Sequence, residues 1–306
     1  MKLTHKPLLI AAMGVALNAS AGVINDIPSC YQANNLANPS PAPALELFVA
    51  IDQTTPLDDN LKRQVIEIIG AQMKPGSAYS LFTFSAYSQG NYLNMLSRGE
   101  LEKNLPATVR DDTGNKTLSQ FDACMAGQQR YAGQLLGKHL QRALGNSSDS
   151  FVKSDVLASL KEISGRIAQS GAKNRVLLLV SDMLENSSVS SFYAKRTVRK
   201  LDPTAELAKA EREKLLGNFA GTRVYVIGAG MIIEDKKQIK GVYRDPITMQ
   251  SLETFWRSYF EKSGANWQNS VSRHCLTLSA KVAPLVDVEN EKREPCSLLC
   301  IQARQI

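Results

Sequence analysis

Two aspartates, each placed directly after a strongly apolar run, are the residues of this sequence best suited to metal chemistry. Asp52 follows the run LELFVAI at 45–51, and Asp182 follows RVLLLVS at 175–181. Thr54 lies two residues after Asp52, so a carboxylate and a hydroxyl on one loop could reach a single ion, directly or through water. Mg²⁺ takes about six hard oxygen ligands and retains several waters. The sequence therefore predicts a cation site where these two loops meet.

The segments around these aspartates alternate between short apolar runs and amphipathic stretches. The apolar runs predict strands buried on both faces of a sheet, at 45–51, 80–84, 175–181 and 223–227. The amphipathic stretches carry apolar residues at helical spacing, at 57–73, 117–144, 154–167 and 249–263. This alternation predicts an α/β fold, with a doubly wound, mostly parallel central sheet flanked by helices. Ligands bind outside the carboxyl ends of such strands, where Asp52 and Asp182 are expected.

Three short pieces of the sequence resemble motifs of the von Willebrand factor A (vWA) domain family. The sequence DQTTP at 52–56 resembles the family's D-x-S/T-x-S motif, KSDVL at 153–157 resembles its threonine-bearing loop, and VSD at 180–182 resembles its aspartate after the central strand. The order of elements is similar over roughly residues 45–265. The resemblance implies a metal-ion-dependent adhesion site that holds Mg²⁺ and leaves one coordination position for a partner's carboxylate. The ligands that it implies are Asp52, Thr54, Ser154 and Asp182.

The sequence departs from the family pattern at Pro56, which offers no side-chain oxygen where the motif has its second serine. Ser154 replaces the usual threonine and keeps the hydroxyl. A second interpretation of both loops involves helix starts alone: Thr55 would be an N-cap with Pro56 in the first helical position, and Ser154 would cap the following helix. A functional metal site and a metal-free remnant of one both stay open on the sequence alone.

The chain has 306 residues, a net charge of +7, and 43% hydrophobic and 21% charged residues, which is the composition of a globular protein. Residues 1–21 predict a cleaved signal peptide, because a basic head and a short apolar run precede Ala19-Ser20-Ala21. The remainder divides into a proline-rich leader at 22–43, a vWA-like domain at 44–265 and a cysteine-containing tail at 266–306. These features predict a periplasmic or secreted protein with no transmembrane span in the mature chain.

All five cysteines lie after the predicted signal peptide, and three of them lie in the tail. Export permits disulfides, and the clustering favours a bond that ties the tail to the domain, although spacing does not reveal connectivity. The odd number leaves one cysteine free or paired between chains. A zinc site is not expected, because Cys296 and Cys300 have no second pair or histidine cluster at zinc spacing.

A basic stretch follows the Asp182 loop. Its residues would share one side of a helix, and they are Lys195, Arg196, Arg199 and Lys200. Such a face could meet an acidic partner or an anionic lipid surface, and the alternative is an ordinary solvated helix face. Gly228-Ala229-Gly230 lacks the third glycine of a dinucleotide-binding motif, and neither His139 nor His274 has a catalytic context.

The sequence therefore predicts an exported, non-enzymatic module that binds another protein, with Mg²⁺ at the strand edge as the means of recognising a carboxylate. The alternative is a metal-independent structural component of a cell-envelope assembly, which would use the basic stretch or the tail for contact. Nucleic acid is not an expected partner, because most basic residues are interleaved with acidic ones.

Overall fold

The computed structural model describes residues 25–40, 42–86, 93–147, 153–194, 197–231 and 245–271. The predicted signal peptide lies outside these residues, as do the three tail cysteines. Strands are formed by β1 (Leu45–Asp52), β2 (Ser77–Phe84), β3 (Leu93–Glu100), β4 (Asn174–Val180), β5 (Tyr193–Ala194), β6 (Thr197–Val198), β7 (Arg223–Ile227) and β8 (Asn266–Val271). Helices are formed by α1 (Cys30–Ala33), α2 (Asp59–Gln72), α3 (Ala107–Asp111), α4 (Asn115–Gly145), α5 (Val156–Ala168), α6 (Pro203–Arg212) and α7 (Pro246–Lys262).

Six of these strands form one sheet in the order β3-β2-β1-β4-β7-β8. All neighbours are parallel except β2 and β3, which are antiparallel. Counted along the chain without the β5–β6 hairpin, the order is 3-2-1-4-5-6, which is that of a doubly wound sheet. The predicted fold class is therefore confirmed. The order reverses between β1 and β4, the point at which such sheets bind ligands.

Alternate residues of the central strands pack into two helical layers. Phe48 and Leu177 face the layer of α5 and α7, whereas Val49 and Leu178 face the layer of α2 and α4. All of these side chains are buried, as the unbroken apolar runs predict for strands covered on both faces. No helix of the described residues has both the length and the apolar character needed to cross a bilayer.

Three local features differ from the sequence predictions. The basic stretch is not a helix, because Tyr193–Ala194 pairs with Thr197–Val198 as a short antiparallel hairpin; Lys195 and Arg196 lie outside the described residues. A contact with another element holds this hairpin in place. Arg199 at its base forms an ion pair with Glu206 of α6, at 2.8 Å. This contact overrides the helical spacing of the charges.

The two predicted helix caps are also wrong. Helix α2 is capped by Asp58, whose Oδ1 accepts from the Leu61 amide at 2.9 Å, and the N-cap residue of α5 is Asp155. Thr55 and Ser154 therefore do not serve as N-caps, which frees their hydroxyl groups for the contacts described below.

The leader and the start of the predicted tail are both part of the folded structure. Cys30 of the leader forms a disulfide with Cys124 of α4, and the Asp26 amide donates to the Arg98 carbonyl of edge strand β3 at 2.8 Å. The carboxylate of Glu102 accepts hydrogen bonds from the leader, including one from the Cys30 amide at 2.7 Å. Strand β8, which begins at residue 266, extends the sheet beyond the predicted domain boundary.

Candidate cation site at the switch point of the sheet

The two predicted aspartates lie together at the switch point. Asp52 is the last residue of β1, and Asp182 follows the end of β4, with Ile51 and Val180 paired across the two parallel strands. After β1 the chain enters α2 in one layer, whereas after β4 it passes to Phe192 and α6 in the other layer. The two loops therefore diverge above the sheet and leave room for groups from a third segment, residues 153–155.

Asp52 holds three hydroxyl groups from three separate segments. Its Oδ1 accepts from the amide and from the Oγ1 of Thr54, at 2.9 and 2.6 Å. Its Oδ2 accepts from Ser181 Oγ at 2.7 Å and from Ser154 Oγ at 3.4 Å. A carboxylate offers about four lone-pair positions, so these four contacts take up those of Asp52, although the 3.4 Å contact with Ser154 is a weak one. Asp52 therefore orients the hydroxyls rather than offering a free oxygen of its own.

Asp182 is held on the opposite side of this cluster. Its Oδ1 accepts from the Leu184 amide at 2.8 Å, and its Oδ2 accepts from the Tyr193 hydroxyl at 2.9 Å. Its own amide donates to Thr55 Oγ1 at 3.1 Å, which joins the first and third motif segments. Only two of the four lone-pair positions of this carboxylate are used by these bonds, so it retains capacity for another ligand.

The backbone immediately after Asp182 is fixed in an unusual conformation. Met183 has a φ of 60°, in the left-handed region that costs most residues roughly 1–2 kcal/mol. Its amide donates to Ser181 Oγ at 2.9 Å, and its carbonyl accepts from Trp256 Nε1 at 2.8 Å. Contacts on both sides therefore hold the strained loop that presents Asp182.

Both carboxylates are buried, and no lysine or arginine of the described ranges forms an ion pair with either of them. Asp52 is 0% exposed and Asp182 is 4% exposed. Burial raises the pKa of Asp52 above its usual value despite four hydrogen bonds. Burial, and then the charge of Asp52, raise the pKa of Asp182 well above its usual value. A buried pair of like charges is unfavourable, and either a bound proton or a cation relieves it.

The chemistry of this donor set fits a hard divalent cation. Among the residues that the structure describes, no three histidine, cysteine, aspartate or glutamate side chains gather as a metal-binding group, so any such site depends on hydroxyl oxygens. Thr54 and Ser154 supply two of them, and Asp182 supplies a carboxylate with free lone pairs. Mg²⁺ commonly binds through one or two carboxylates and retains several waters. The set is one oxygen poorer than the motif because of Pro56, and the hydroxyl of the adjacent Thr55 is engaged by Asp182.

The structure brings together all four predicted site residues and adds two that were not predicted. Ser181 could have been found, because it stands beside Asp182 in the VSD segment and the end of a strand places its side chain near Asp52. Tyr193 carries no comparable signal, because it reaches Asp182 only through the unpredicted hairpin.

A third buried carboxylate lies beside the site. Glu185 is 1% exposed, and its Oε2 accepts from the Leu157 amide in the first turn of α5, at 2.9 Å. Burial raises the pKa of Glu185 to about 8, against the lowering effect of its hydrogen bonds to Ser187 and to the start of α5. Glu185 therefore joins the Asp182 loop to the helix that follows Ser154.

Comparisons with protein-family models and with curated protein sequences each find no match. Among solved structures, the chain is similar to an aerotolerance-related membrane protein from Bacteroides fragilis, with 12% identity, a TM-score of 0.33, and coverage of 75% of this chain and 92% of that one. It is also similar to the pilus adhesin SpaC from Lactobacillus rhamnosus, with 12% identity, a TM-score of 0.37, and coverage of 77% and 29%. A third similar structure is the PilB minor pilin from Streptococcus sanguinis, with 11% identity, a TM-score of 0.35, and coverage of 76% of this chain and 58% of that one.

The chain thus spans less than two thirds of the length of each of the two pilus proteins. At these scores and identities, the likenesses carry no argument about what the chain does. The fold rests instead on the chain's own sheet. Its doubly wound order, and the meeting of the three motif segments at its switch point, give a vWA-like α/β fold, as the sequence resemblance predicted.

Proposed function

We propose that this chain is an exported, non-enzymatic protein-binding module that recognises a carboxylate of its partner through Mg²⁺ at the switch point of the sheet. The observation that carries the proposal is the buried pair of carboxylates, Asp52 and Asp182, which has oxygen donors around it and no ion pair among the described residues. Thr54 and Tyr193 are only half-buried, so they form the side of the site that faces solvent.

Each residue has a distinct part in this proposal. The hydroxyls of Thr54 and Ser154 and the carboxylate of Asp182 would hold the cation. Asp52 orients the two hydroxyls by accepting a hydrogen bond from each, so their lone pairs point away from Asp52 and toward the proposed cation. A partner's carboxylate would replace one of the waters that Mg²⁺ retains. This exchange of ligands needs no bond chemistry, so the proposed activity is recognition.

The disulfide supports the exported location within the proposal. Structural disulfides persist in oxidising compartments such as the periplasm or the cell exterior, and are rare in the cytosol. The Cys30–Cys124 bond joins the leader to α4, so this bond would form after export. Removal of residues 1–21 as a signal peptide belongs to the same proposal, and mass spectrometry of the exported protein would test it.

Replacing Asp182 by asparagine is expected to abolish stabilisation of the protein by Mg²⁺. The wild-type protein should gain about 2.7 kcal/mol of unfolding free energy at a Mg²⁺ concentration one hundred times the Kd. The variant should lose this gain, yet be at least as stable as wild type without metal, because the repulsion from Asp52 is removed. Thermal unfolding with and without Mg²⁺ measures both effects.

The matched control for this prediction is Asp59→Asn, which neutralises an aspartate whose side chain is 97% exposed at the start of α2. This variant should keep the full response to Mg²⁺. Melting curves of the wild-type protein that are unchanged by Mg²⁺ would contradict the proposed site.

A metal-independent scaffold is the second candidate function, and one observation favours it. The four lone-pair positions of Asp52 are used by protein groups alone, so part of the cluster is satisfied without a cation. In that case partner capture would resist a chelator and be lost when Lys195, Arg196 and Lys200 are neutralised together. Arg199 should be retained in this variant, because its ion pair with Glu206 holds the base of the hairpin.

A further inference from the structure

Among the described residues of the β5–β6 hairpin, Tyr193 is the one whose side chain bonds to the candidate site. Its hydroxyl donates to Asp182 Oδ2 at 2.9 Å. Asp182 is the carboxylate proposed to bind the cation. The Tyr193 phenol therefore lies directly beside the position at which a cation would bind to Asp182.

The base of the hairpin is firmly anchored, independently of this bond. The preceding residue, Phe192, is buried against Phe255, with ring centroids 5.0 Å apart. Its amide donates to the Glu185 carbonyl and its carbonyl accepts from the Arg199 amide, both at 2.8 Å. Release of the Tyr193 hydroxyl therefore needs only a side-chain movement, because the backbone on both sides is held by other contacts.

The anchor extends to α6 through one buried carboxylate. Glu206 accepts from Arg199 at 2.8 Å and from Ser190 Oγ at 2.6 Å, so residues on both arms that lead into the hairpin meet on one side chain. These contacts with Glu206 hold the base of the hairpin so that the Tyr193 side chain lies next to Asp182. This arrangement gives the hydroxyl a high effective concentration at the carboxylate, and any ligand of Asp182 must compete with it.

We propose that Tyr193 is a built-in competitor that closes the switch-point site, and that a divalent cation engages Asp182 fully only after the Tyr193 hydroxyl has left Oδ2. This inference rests on the proposed function. The hydroxyl satisfies a buried carboxylate oxygen in the metal-free protein, and a cation satisfies the same oxygen more strongly in the loaded protein. Tyr193 is thus a positioning residue that sets the cation concentration at which the module becomes competent to bind its partner.

The test compares Mg²⁺ binding by the wild-type protein and by Tyr193→Phe, measured by calorimetry on the full chain. The variant should bind Mg²⁺ roughly tenfold more tightly, because a hydrogen bond to a charged group no longer has to be broken. Tyr31→Phe is the matched control: it also removes one tyrosine hydroxyl bond, to the Lys103 carbonyl at 2.9 Å, and it should leave the affinity unchanged.

A second readout follows the phenol itself. Nitration by tetranitromethane, located by mass spectrometry, should modify Tyr193 faster with saturating Mg²⁺ than with chelator. Tyr131, which is 46% exposed on α4, provides the internal reference whose rate should not change.

The possible outcomes distinguish failure of the inference about Tyr193 from failure of the proposed cation site. Tighter binding by Tyr193→Phe with faster nitration of wild type supports the inference, as does binding by the variant alone. Equal affinities overturn the inference and leave the proposed function standing. Weaker binding by the variant also overturns it, because Tyr193 would then support the loaded site. Absence of binding in both proteins overturns the inference and the proposed function together.

Discussion

Replacing Cys30 and Cys124 together by serine is expected to lower the free energy of unfolding by on the order of 3–5 kcal/mol. The disulfide joins residues that are 94 positions apart, and a crosslink across so long a loop strongly restricts the unfolded chain. Cys30 is fully buried and packs in a small cluster with Tyr31, Leu105 and Phe121. The variant therefore loses the bond that holds the leader against α4. Chemical denaturation of both proteins under oxidising conditions measures the difference.

The control for the disulfide is Ser29→Ala. It removes the hydroxyl of the residue before Cys30, which donates to the carboxylate of Glu102. The same hydroxyl also accepts from the Gln32 amide as the N-cap of α1. Loss of both bonds should cost about 1–2 kcal/mol, which is less than the double variant is expected to lose. Unfolding free energies of the double variant and wild type that agree within about 0.5 kcal/mol would contradict the assigned role of the disulfide.

Replacing Glu185 by glutamine is expected to stabilise the protein at alkaline pH. The native protein holds the Glu185 proton up to a pKa of about 8, compared with an ordinary value of 4.5. Between these values the native state binds more protons than the unfolded state, so the unfolding free energy of wild type falls as the pH rises. Glutamine still offers an oxygen to the Leu157 amide and carries no charge. Above pH 8 the variant should be more stable by on the order of 2–5 kcal/mol.

Denaturation curves measured across the pH range test this prediction, and the two proteins should converge near pH 4.5. Glu206→Gln is a contrasting control. Burial alone would raise the pKa of Glu206, but hydrogen bonds from Arg199, Ser190 and Lys209 together lower it. Its stabilising effect is therefore present at neutral pH and is lost as the medium becomes acidic, so this variant should be destabilised above pH 5 by about 1–3 kcal/mol. A Glu185→Gln curve parallel to that of wild type would show that Glu185 is ionised in the native protein.

The centre of the sheet could be predicted from sequence because its strands are buried on both faces. The runs that became β1 and β4 are apolar almost without interruption, and each leads directly into an aspartate. Parallel strands bring their carboxyl ends to one edge, so the meeting of Asp52 and Asp182 follows from the run positions alone. Thr54 was predicted with them because it lies two residues after Asp52, and Ser154 was predicted from the motif resemblance.

The periphery could not be predicted, because its structure depends on contacts distant in sequence. Edge strand β3 has the mixed sequence LNMLSRGE, in which only some side chains are buried. The charges at 195–200 have helical spacing, yet Glu206 and the buried Phe192 fix the segment as a hairpin. Tyr193 was missed with that hairpin. The partner of Cys30 was missed because cysteine spacing alone does not determine connectivity.

The most direct test of the cation site is a calorimetric titration of Mg²⁺ into the wild-type protein and into Thr54→Val. Valine matches threonine in shape and leaves both carboxylates in place, but it removes the hydroxyl that Asp52 orients at 2.6 Å. We expect the wild-type protein to bind one Mg²⁺ per chain and the variant to bind it about 10–100-fold more weakly. A flat isotherm for wild type, or equal affinities in the two proteins, would contradict a functional cation site at the switch point.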